Sequence, residues 1–388
     1  MTGTSCKEKR CMNYETIIRE NQQWIDEIWD KLDEKLSYTA LRSYDKIPYT
    51  TCEGIHDSCT EGEKITWWTN GFWGGLMWLM YAGTGKECYK ATAQKAEETM
   101  DEAFKYMNDL HHDVGFMWHI MSGASYQLTG DEKSMNRNLL AAQILMGRYN
   151  IDGDFLVAWN GADKAGWTII DTMMNLPLLY WASRETGDGR FEKIAKRHAD
   201  MAMYGHVRAD GSVAHIVSHY TDKPEVIETL AGQGYGVGSS WSRGVSWAVY
   251  GFVLSYIHTG EEKYLETAKK VAPYFIANTA TTKWLPLVDF RAPKEPICYD
   301  STAGAITACG LIEIAKYVPE NEKAFYLSAA IDMLRTLERM WCNWEKSEDS
   351  ILQNGTERYG SRPMPIIYGD YYFAEAILKL KGSEFLPW

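Results

Sequence analysis

Asp171 is the only charged side chain between Lys164 and Arg184, in a stretch that reads GWTIIDTMMNLPLLYW from Gly166 to Trp181. A run this apolar predicts a buried helix. An ionised carboxylate is costly to bury unless it is paired or hydrogen-bonded, and without partners desolvation raises its pKa. Two readings stay open on this stretch. Asp171 is a proton donor kept loaded near neutral pH, or it caps a neighbouring helix or loop from inside. Asp171, Asn175 and Pro177 interrupt the run well short of a bilayer's thickness, so it is no membrane span.

Four further stretches are aromatic or polar where a core helix would be plain: WWTNGFWGG (67–75), HHDVGFMWH (111–119), GQGYGVGSSWSRGVSW (232–247) and YGSRPMPIIYGDYY (359–372). Asp113 sits between His112 and a Val-Gly-Phe turn, where the ordinary role of an Asp is a helix N-cap. Arg243 lies between Trp241 and Trp247 and shares a helical face with Trp247; it binds an anion or pairs with a buried carboxylate. His215 follows the turn Ala209-Asp210-Gly211, and an isolated His there is ordinarily structural. The glycines at 232–238 fail the dinucleotide-binding spacing, because Val237 stands where the third Gly belongs and no strand precedes them. His-Glu-x-x-His and Gly-x-Ser-x-Gly patterns are missing. Two buried carboxylates with aromatic platforms suggest glycoside chemistry.

These residues need elements to position them. An aromatic residue, a short spacer, then Thr-Gly and a charged residue recurs in YAGTGKE (81–87), YQLTGDE (126–132), WASRETGDG (181–189) and YIHTGEE (256–262). Each Gly fits the left-handed residue that ends a helix, and each is followed by an amphipathic segment: Lys86–Met107, Asp131–Tyr149, Arg190–Tyr204 and Glu261–Ala277. A fifth copy begins at Tyr317, with Val-Pro-Glu-Asn in place of Thr-Gly. Gly85, Gly130, Gly187 and Gly260 are 45, 57 and 73 residues apart, a helical-hairpin period with insertions. Residues 13–37 predict an amphipathic opening helix. Strand signals are confined to 207–218 and 284–290. The expected architecture is all-α: one domain over 1–388 in which six helix pairs close into an α/α toroid, with 1–12 a flexible N-terminal segment. An open solenoid is the alternative. Closure is favoured because the chemistry-bearing stretches fall at the starts of the first helices of the pairs, which in a toroid meet at one mouth.

Composition narrows the function. A net charge of −12 without a Lys/Arg cluster argues against nucleic-acid partners. Sixteen Trp and 24 Tyr against 11 Phe suit stacking on sugar rings as well as a large core. The polar N-terminus lacks the apolar segment of a signal peptide, and eight cysteines then read as reduced thiols of a cytoplasmic protein. Cys6/Cys11 and Cys52/Cys59 have neither zinc spacing nor His partners, so no metal is expected. No cofactor and no membrane partner are expected, and the oligomeric state is open.

Taken together, HHDVGF, IIDTMMNLPLL, GQG…SSWSRGVSWAVYG and YGDYYFAEAI resemble, in order, the motifs of the unsaturated glucuronyl hydrolases, glycoside hydrolase family 88. The likeness runs from about Trp67 to Tyr372. It implies an (α/α)6 barrel that removes the 4,5-unsaturated uronic acid from lyase-generated oligosaccharides, glycosaminoglycan-type disaccharides foremost, by hydrating the C4–C5 double bond. Asp171 would protonate C4 and then, ionised, take a proton from the water attacking C5. Asp113 would be the second essential carboxylate. The resemblance carries His112, His215, Gln233, Trp241, Arg243 and Trp247 over as sugar and carboxylate contacts, with Trp68 or Trp67 as a stacking face. Gly236-Val237-Gly238 replaces a more polar run and Val245 stands where Gln is common. The loop Gly360–Pro365 is a poor match to the Ser/Lys-rich loop of members that prefer sulfated sugars, although Ser361 and Arg362 could contact an anionic group of the second sugar. The competing readings are a conventional inverting glycosidase and a non-catalytic carbohydrate-binding protein.

Overall fold

A computed structural model describes residues 14–388. The expected flexible segment 1–12 and the Cys6/Cys11 pair lie outside the described residues. Helix α1 spans Tyr14–Arg42 and buries Ile17, Ile25, Ile28, Trp29 and Leu32 at helical spacing. The pairs that follow are α2 (Gly71–Thr84) with α3 (Glu87–Met100), and a π-helical segment (Gly115–Gly123) continued by α4 (Ala124–Thr129) with α5 (Glu132–Met146). Then come α6 (Leu176–Thr186) with α7 (Gly189–Gly205), α8 (Ser242–Thr259) with α9 (Glu262–Ala280), and α10 (Ser301–Tyr317) with α11 (Glu320–Trp341). Helix α12 (Ile367–Leu380) packs on α10, α2 and α1, which closes the ring as an (α/α)6 barrel with α1 as its sixth outer helix. The inner helices are buried nearly all round, whereas the outer ones show one buried face.

The Thr-Gly repeat has a physical cause. Gly85, Gly130, Gly187 and Gly260 take φ of 69°, 73°, 71° and 69°, a conformation open to glycine at no steric cost. In each copy the preceding Thr hydroxyl donates back to a carbonyl of its own helix, Met80, Ser125, Ala182 or Ser255. The same oxygen accepts the backbone N–H two residues on, at 3.2 Å from Lys86, Asp131, Asp188 and Glu261. One Thr-Gly unit thus stops an inner helix and aims the chain into the next outer one.

Strands are short: β1 (Thr51–Cys52) with β2 (Ile55–His56), β3 (Tyr149–Asn150) with β4 (Phe155–Leu156), and a three-stranded antiparallel sheet of β5 (Trp167–Ile169), β6 (Ile216–His219) and β7 (Val226–Leu230). Sheet β5–β6–β7 corrects two expectations. Residues 166–181 are not one helix: Trp167–Ile169 pairs with β6, Ile170–Met174 forms a 3-10 turn, and the α-helix starts only at Leu176 with Pro177 in its first turn. The β-branched run Thr168-Ile169-Ile170 favours a strand, and Pro suits a helix start. Nor are strands confined to 207–218 and 284–290: Val207 and Val213 make an isolated antiparallel bridge and 216–218 joins β6, residues 284–290 make isolated bridges through Leu287 and Asp289, and β7 with β1–β4 lies outside both segments.

The ring interior is filled by aromatics from several helices. Trp388 is 3% exposed, stacks on Tyr372 at 5.9 Å and 3°, and meets Phe116 edge-on at 5.9 Å. Its indole N–H donates to the Glu375 carboxylate at 3.1 and 3.2 Å, and Lys379 lies 3.3 Å from the same group. Trp388→Phe keeps most of the packing and removes a bond to a charged acceptor. It should cost about 1.5–3 kcal/mol in urea unfolding, and an unchanged midpoint would show that the bond contributes nothing.

Candidate active site

Four of the five chemistry-bearing stretches converge on one cavity of about 390 Å³, and the stretch 359–372 does not line it. Asp113, His112 and His111 enter it from the turn before the π-helical segment, and Asp171 from the 3-10 turn after β5. His215 precedes β6, Gly232 and Gln233 follow β7, and Trp241 and Arg243 come from the start of α8. Trp67 and Trp68 line it from the segment before α2. Trp68 packs against Phe72, Phe116 and Tyr368 at ring distances of 5.1–6.0 Å, whereas Trp67 is 43% exposed. Both faces are therefore present, one held by the core and one at the rim.

Asp113 and Asp171 are 7% and 8% exposed. Their surroundings differ. Asp113 Oδ1 lies 3.1 Å from His112 Nε2 and accepts from Asn175 Nδ2 at 3.4 Å, while its Oδ2 lies 3.4 Å from His111 Nδ1. Burial pushes its carboxyl up, but His112, His111 and Asn175 outweigh burial and hold it below the usual carboxylate range. Burial pushes His111 down to about 4, against the pull of Asp113, so this ring is neutral near pH 7. His112 Nδ1 donates to the Ala158 carbonyl at 2.6 Å, which fixes the ring beside Asp113. His111, His112 and Asp113 bring three potential metal-ligand atoms within 4.8 Å. The imidazole nitrogens of that cluster already face the carboxylate oxygens at hydrogen-bond range, and nothing in the arrangement assigns an ion.

Asp171 meets a different partner. His215 Nε2 lies 3.3 Å from Asp171 Oδ1, and His215 Nδ1 accepts the Gln233 backbone N–H at 2.9 Å. With Nδ1 occupied as an acceptor, the proton of the neutral ring is on Nε2, the nitrogen beside the carboxylate, although the two atoms make no hydrogen bond. The ring of His215 packs at 4.3 Å on Trp241. Gly232 has φ 58°, and a Cβ there would come within 2.1 Å of His215 Nδ1, so glycine is required for this loop to reach the imidazole.

Arg243 is buried, with both terminal nitrogens committed and its Nε without a partner among the described residues. Its Nη1 donates to Asp300 Oδ2 at 2.6 Å and to the Thr356 carbonyl, its Nη2 donates to the Glu357 carbonyl at 2.7 Å, and the guanidinium lies 4.3 Å over Trp241. Of the two roles left open by the sequence, the ion pair with a buried carboxylate is present in the structure. A cation in the first turn of α8 opposes the helix dipole, and Asp300 offsets it.

Comparison with known proteins decides the family. No protein-family model matches the sequence. The chain is 35% identical over 328 residues to the unsaturated glucuronyl hydrolase of Bacillus sp. strain GL1, covering 81% of this chain and 86% of that protein. The chain belongs to the unsaturated glucuronyl hydrolase family. It is also 31% identical over 345 residues to the unsaturated chondroitin disaccharide hydrolase of Streptococcus pneumoniae, covering 83% of this chain and 84% of that protein. The crystal structure of the Bacillus sp. GL1 hydrolase superposes with a TM-score of 0.83 at 32% identity, over 91% of this chain and 97% of the other. A family member described as specific for heparin superposes at 0.82 with 27% identity, over 92% of this chain and 97% of that one.

Within this family member the cavity gathers Asp113, Asp171, His112, His215, Gln233, Trp241, Arg243, Trp67 and Trp68 of the residues singled out from sequence. It does not gather the rest. Trp247 is fully buried against Phe116 and Tyr372, because one turn along α8 from Arg243 carries it into the ring core. Ser361 and Arg362 lie beyond the lining, although their loop supplies Arg358. Sequence reasoning missed Arg358, Trp159 and His111 in the lining, and Asn175 beneath it. Trp159 meets His112 edge-on at 5.5 Å. Asn175 donates to both Asp113 Oδ1 and the Asp171 carbonyl and accepts the Phe116 N–H, tying the two acidic segments together. A buried Asn four residues after Asp171 was the available signal, since a buried amide needs partners.

Proposed function

We propose that this chain is a glycoside hydrolase that removes a 4,5-unsaturated uronic acid from the non-reducing end of lyase-generated glycosaminoglycan oligosaccharides by hydrating the C4–C5 double bond. One observation carries the reading: two buried carboxylates face one aromatic-walled cavity, one held ionised by imidazoles and an amide, the other beside a single imidazole N–H. Asp171 in its protonated form delivers a proton to C4, which leaves positive charge shared between C5 and the ring oxygen. His215 Nε2–H then faces the newly ionised carboxylate, which takes a proton from the water adding at C5. The hemiketal opens and releases the aglycone. Asp113, kept ionised, faces the developing cation. Trp67, Trp68 and Trp159 offer ring faces to the sugars.

The substrate is anionic and the protein acidic, so recognition is local. Arg243 is neutralised by Asp300 and His111 is neutral, which leaves Arg358 as the uncommitted cation of the lining: its side chain makes no hydrogen bond or ion pair among the described residues. Arg358 meets the substrate's carboxylate or sulfate. Arg358→Ala should raise KM by about 10–100-fold with kcat within about threefold, and the defect should shrink as salt rises. An unchanged KM would remove Arg358 from substrate recognition. A cytoplasmic setting, supported by the six cysteines that are free thiols among the described residues, belongs to the same proposal. Recovery of the protein from outside the cell would reject it. Incubation with unsaturated chondroitin, hyaluronan, heparin and pectin products tests the activity itself. The ultraviolet absorbance of the conjugated enoate should disappear with at least one of them, and its persistence with all four rejects the function.

A further inference from the structure

The contact between His215 and Asp171 depends on two chain arms that meet at β5–β6. Asp171 follows β5 by two residues and His215 immediately precedes β6, and the Ile170 N–H donates to the His215 carbonyl at 3.1 Å. Ile169 and Ile216, paired in register, face the cavity. Thr168 and Val217, the next pair, point to the opposite side of the sheet. There a chain of fully buried polar groups is found. His206 Nδ1 lies 2.8 Å from the carbonyl of Ala214, the residue before His215, and its Nε2 lies 2.9 Å from Oγ1 of Thr168, three residues before Asp171. Thr168 Oγ1 is also 2.9 Å from His219 Nε2. The Ala214 N–H completes the clamp by donating to the His206 carbonyl at 2.8 Å.

Hydrogen-bond accounting orders the protons of this chain, in which the Thr168 hydroxyl also reaches the Val217 carbonyl at 3.3 Å as a second acceptor. A carbonyl only accepts, so His206 Nδ1 carries the ring proton and Nε2 accepts from the Thr168 hydroxyl. That hydroxyl has one proton, so it accepts from His219, whose proton is on Nε2. Burial drives His206 down to about 3 and His219 to about 4, so the rings are neutral over the working pH range and the pattern persists. The groups are 0–3% exposed, and an unmade bond among them would leave a polar atom stranded.

We infer that His206 and Thr168 are positioning residues that set the approach of His215 to Asp171, an inference resting on the role proposed for Asp171. One imidazole holds the arm of His215 through Ala214 and the arm of Asp171 through Thr168. Loss of the hydroxyl removes that side-chain tie and leaves the β5–β6 ladder and the Ile170–His215 backbone bond to hold the two arms, and displacements near 1 Å at a reacting group cost up to about 100-fold in rate.

Thr168→Val, Thr168→Ser, His206→Asn and the double variant Thr168→Val/His206→Asn are compared with the wild type on an unsaturated disaccharide, well below melting. Asn reproduces the donor to Ala214 and drops the contact with Thr168. Thr168→Val and His206→Asn should each lower kcat by about tenfold or more with KM within about twofold, whereas Thr168→Ser should stay within about threefold of wild type. The double variant should be no slower than the slower single one, because both break the same bond. Wild-type kcat in a folded Thr168→Val protein, a matched change in kcat and KM, or multiplied losses in the double variant would overturn the inference. Should Thr168→Val not fold, the His206→Asn protein carries the same test. Absence of turnover by the wild type rejects the proposed function instead, so the two failures are distinguishable.

Discussion

Asp171→Asn should lower kcat by about 10³-fold or more while KM for an unsaturated disaccharide stays within a few-fold. Asn fills the space of Asp and keeps an amide beside His215 Nε2, which lies 3.3 Å from Asp171 Oδ1. It can neither release a proton to C4 nor take one from water. Positioned proton transfer contributes about 10²–10⁴-fold, and here one group serves both transfers, which places the loss at the upper end. The split between kcat and KM matters, because an interaction made only in the transition state lowers kcat without weakening ground-state binding. Activity within tenfold of wild type would remove Asp171 from the proton-transfer role. Asp113→Asn gives the contrast: its carboxyl is held below the usual range by His112, His111 and Asn175 against the opposing effect of burial, so it loses a charge rather than a proton donor.

Asp300→Ala should destabilise the fold by about 3–5 kcal/mol, read as a lower midpoint in urea at unchanged slope. Asp300 is fully buried, and its Oδ2 pairs with Arg243 at 2.6 Å while Oδ1 accepts from Thr302 N at 3.1 Å as the N-cap of α10. Removing it strands a guanidinium that is 1% exposed and uncaps a helix. The double change Arg243→Met/Asp300→Leu should cost much less than Asp300→Ala, because a buried ion pair is far more expensive to break than to replace. Equal losses in the two proteins would show that the pair itself, rather than the stranded charge, supplies the stability.

Much of the architecture was legible because its signals are local. Each Thr-Gly unit carries its own reason to end a helix, a hydroxyl bridging two backbone groups followed by a residue that tolerates φ near +70°. The apolar isolation of Asp171 and the order of the four motifs are likewise properties of the linear chain. Where local signals conflict, the reading failed. The run 166–181 is apolar enough for a buried helix, yet its first part is a strand, because pairing with β6 satisfies the backbone of a β-branched segment that a helix would crowd.

The sequence by itself determined the helical repeat, the acidic residues that face the cavity and the family motifs around them. Only the tertiary structure decided their partners. Arg243 pairs with Asp300, 57 positions away, Asn175 reaches Asp113 across 62, and His206 bridges strands that are 49 residues apart at Thr168 and Val217. The same holds for Trp247, which shares a helical face with Arg243 in sequence but points into the ring core, and for Arg358, which the cavity takes in place of Ser361 and Arg362. The reason is physical: helix ends and cavity walls are local choices of backbone and polarity, whereas which charge is free to meet a substrate depends on every other group that burial has already paired with it.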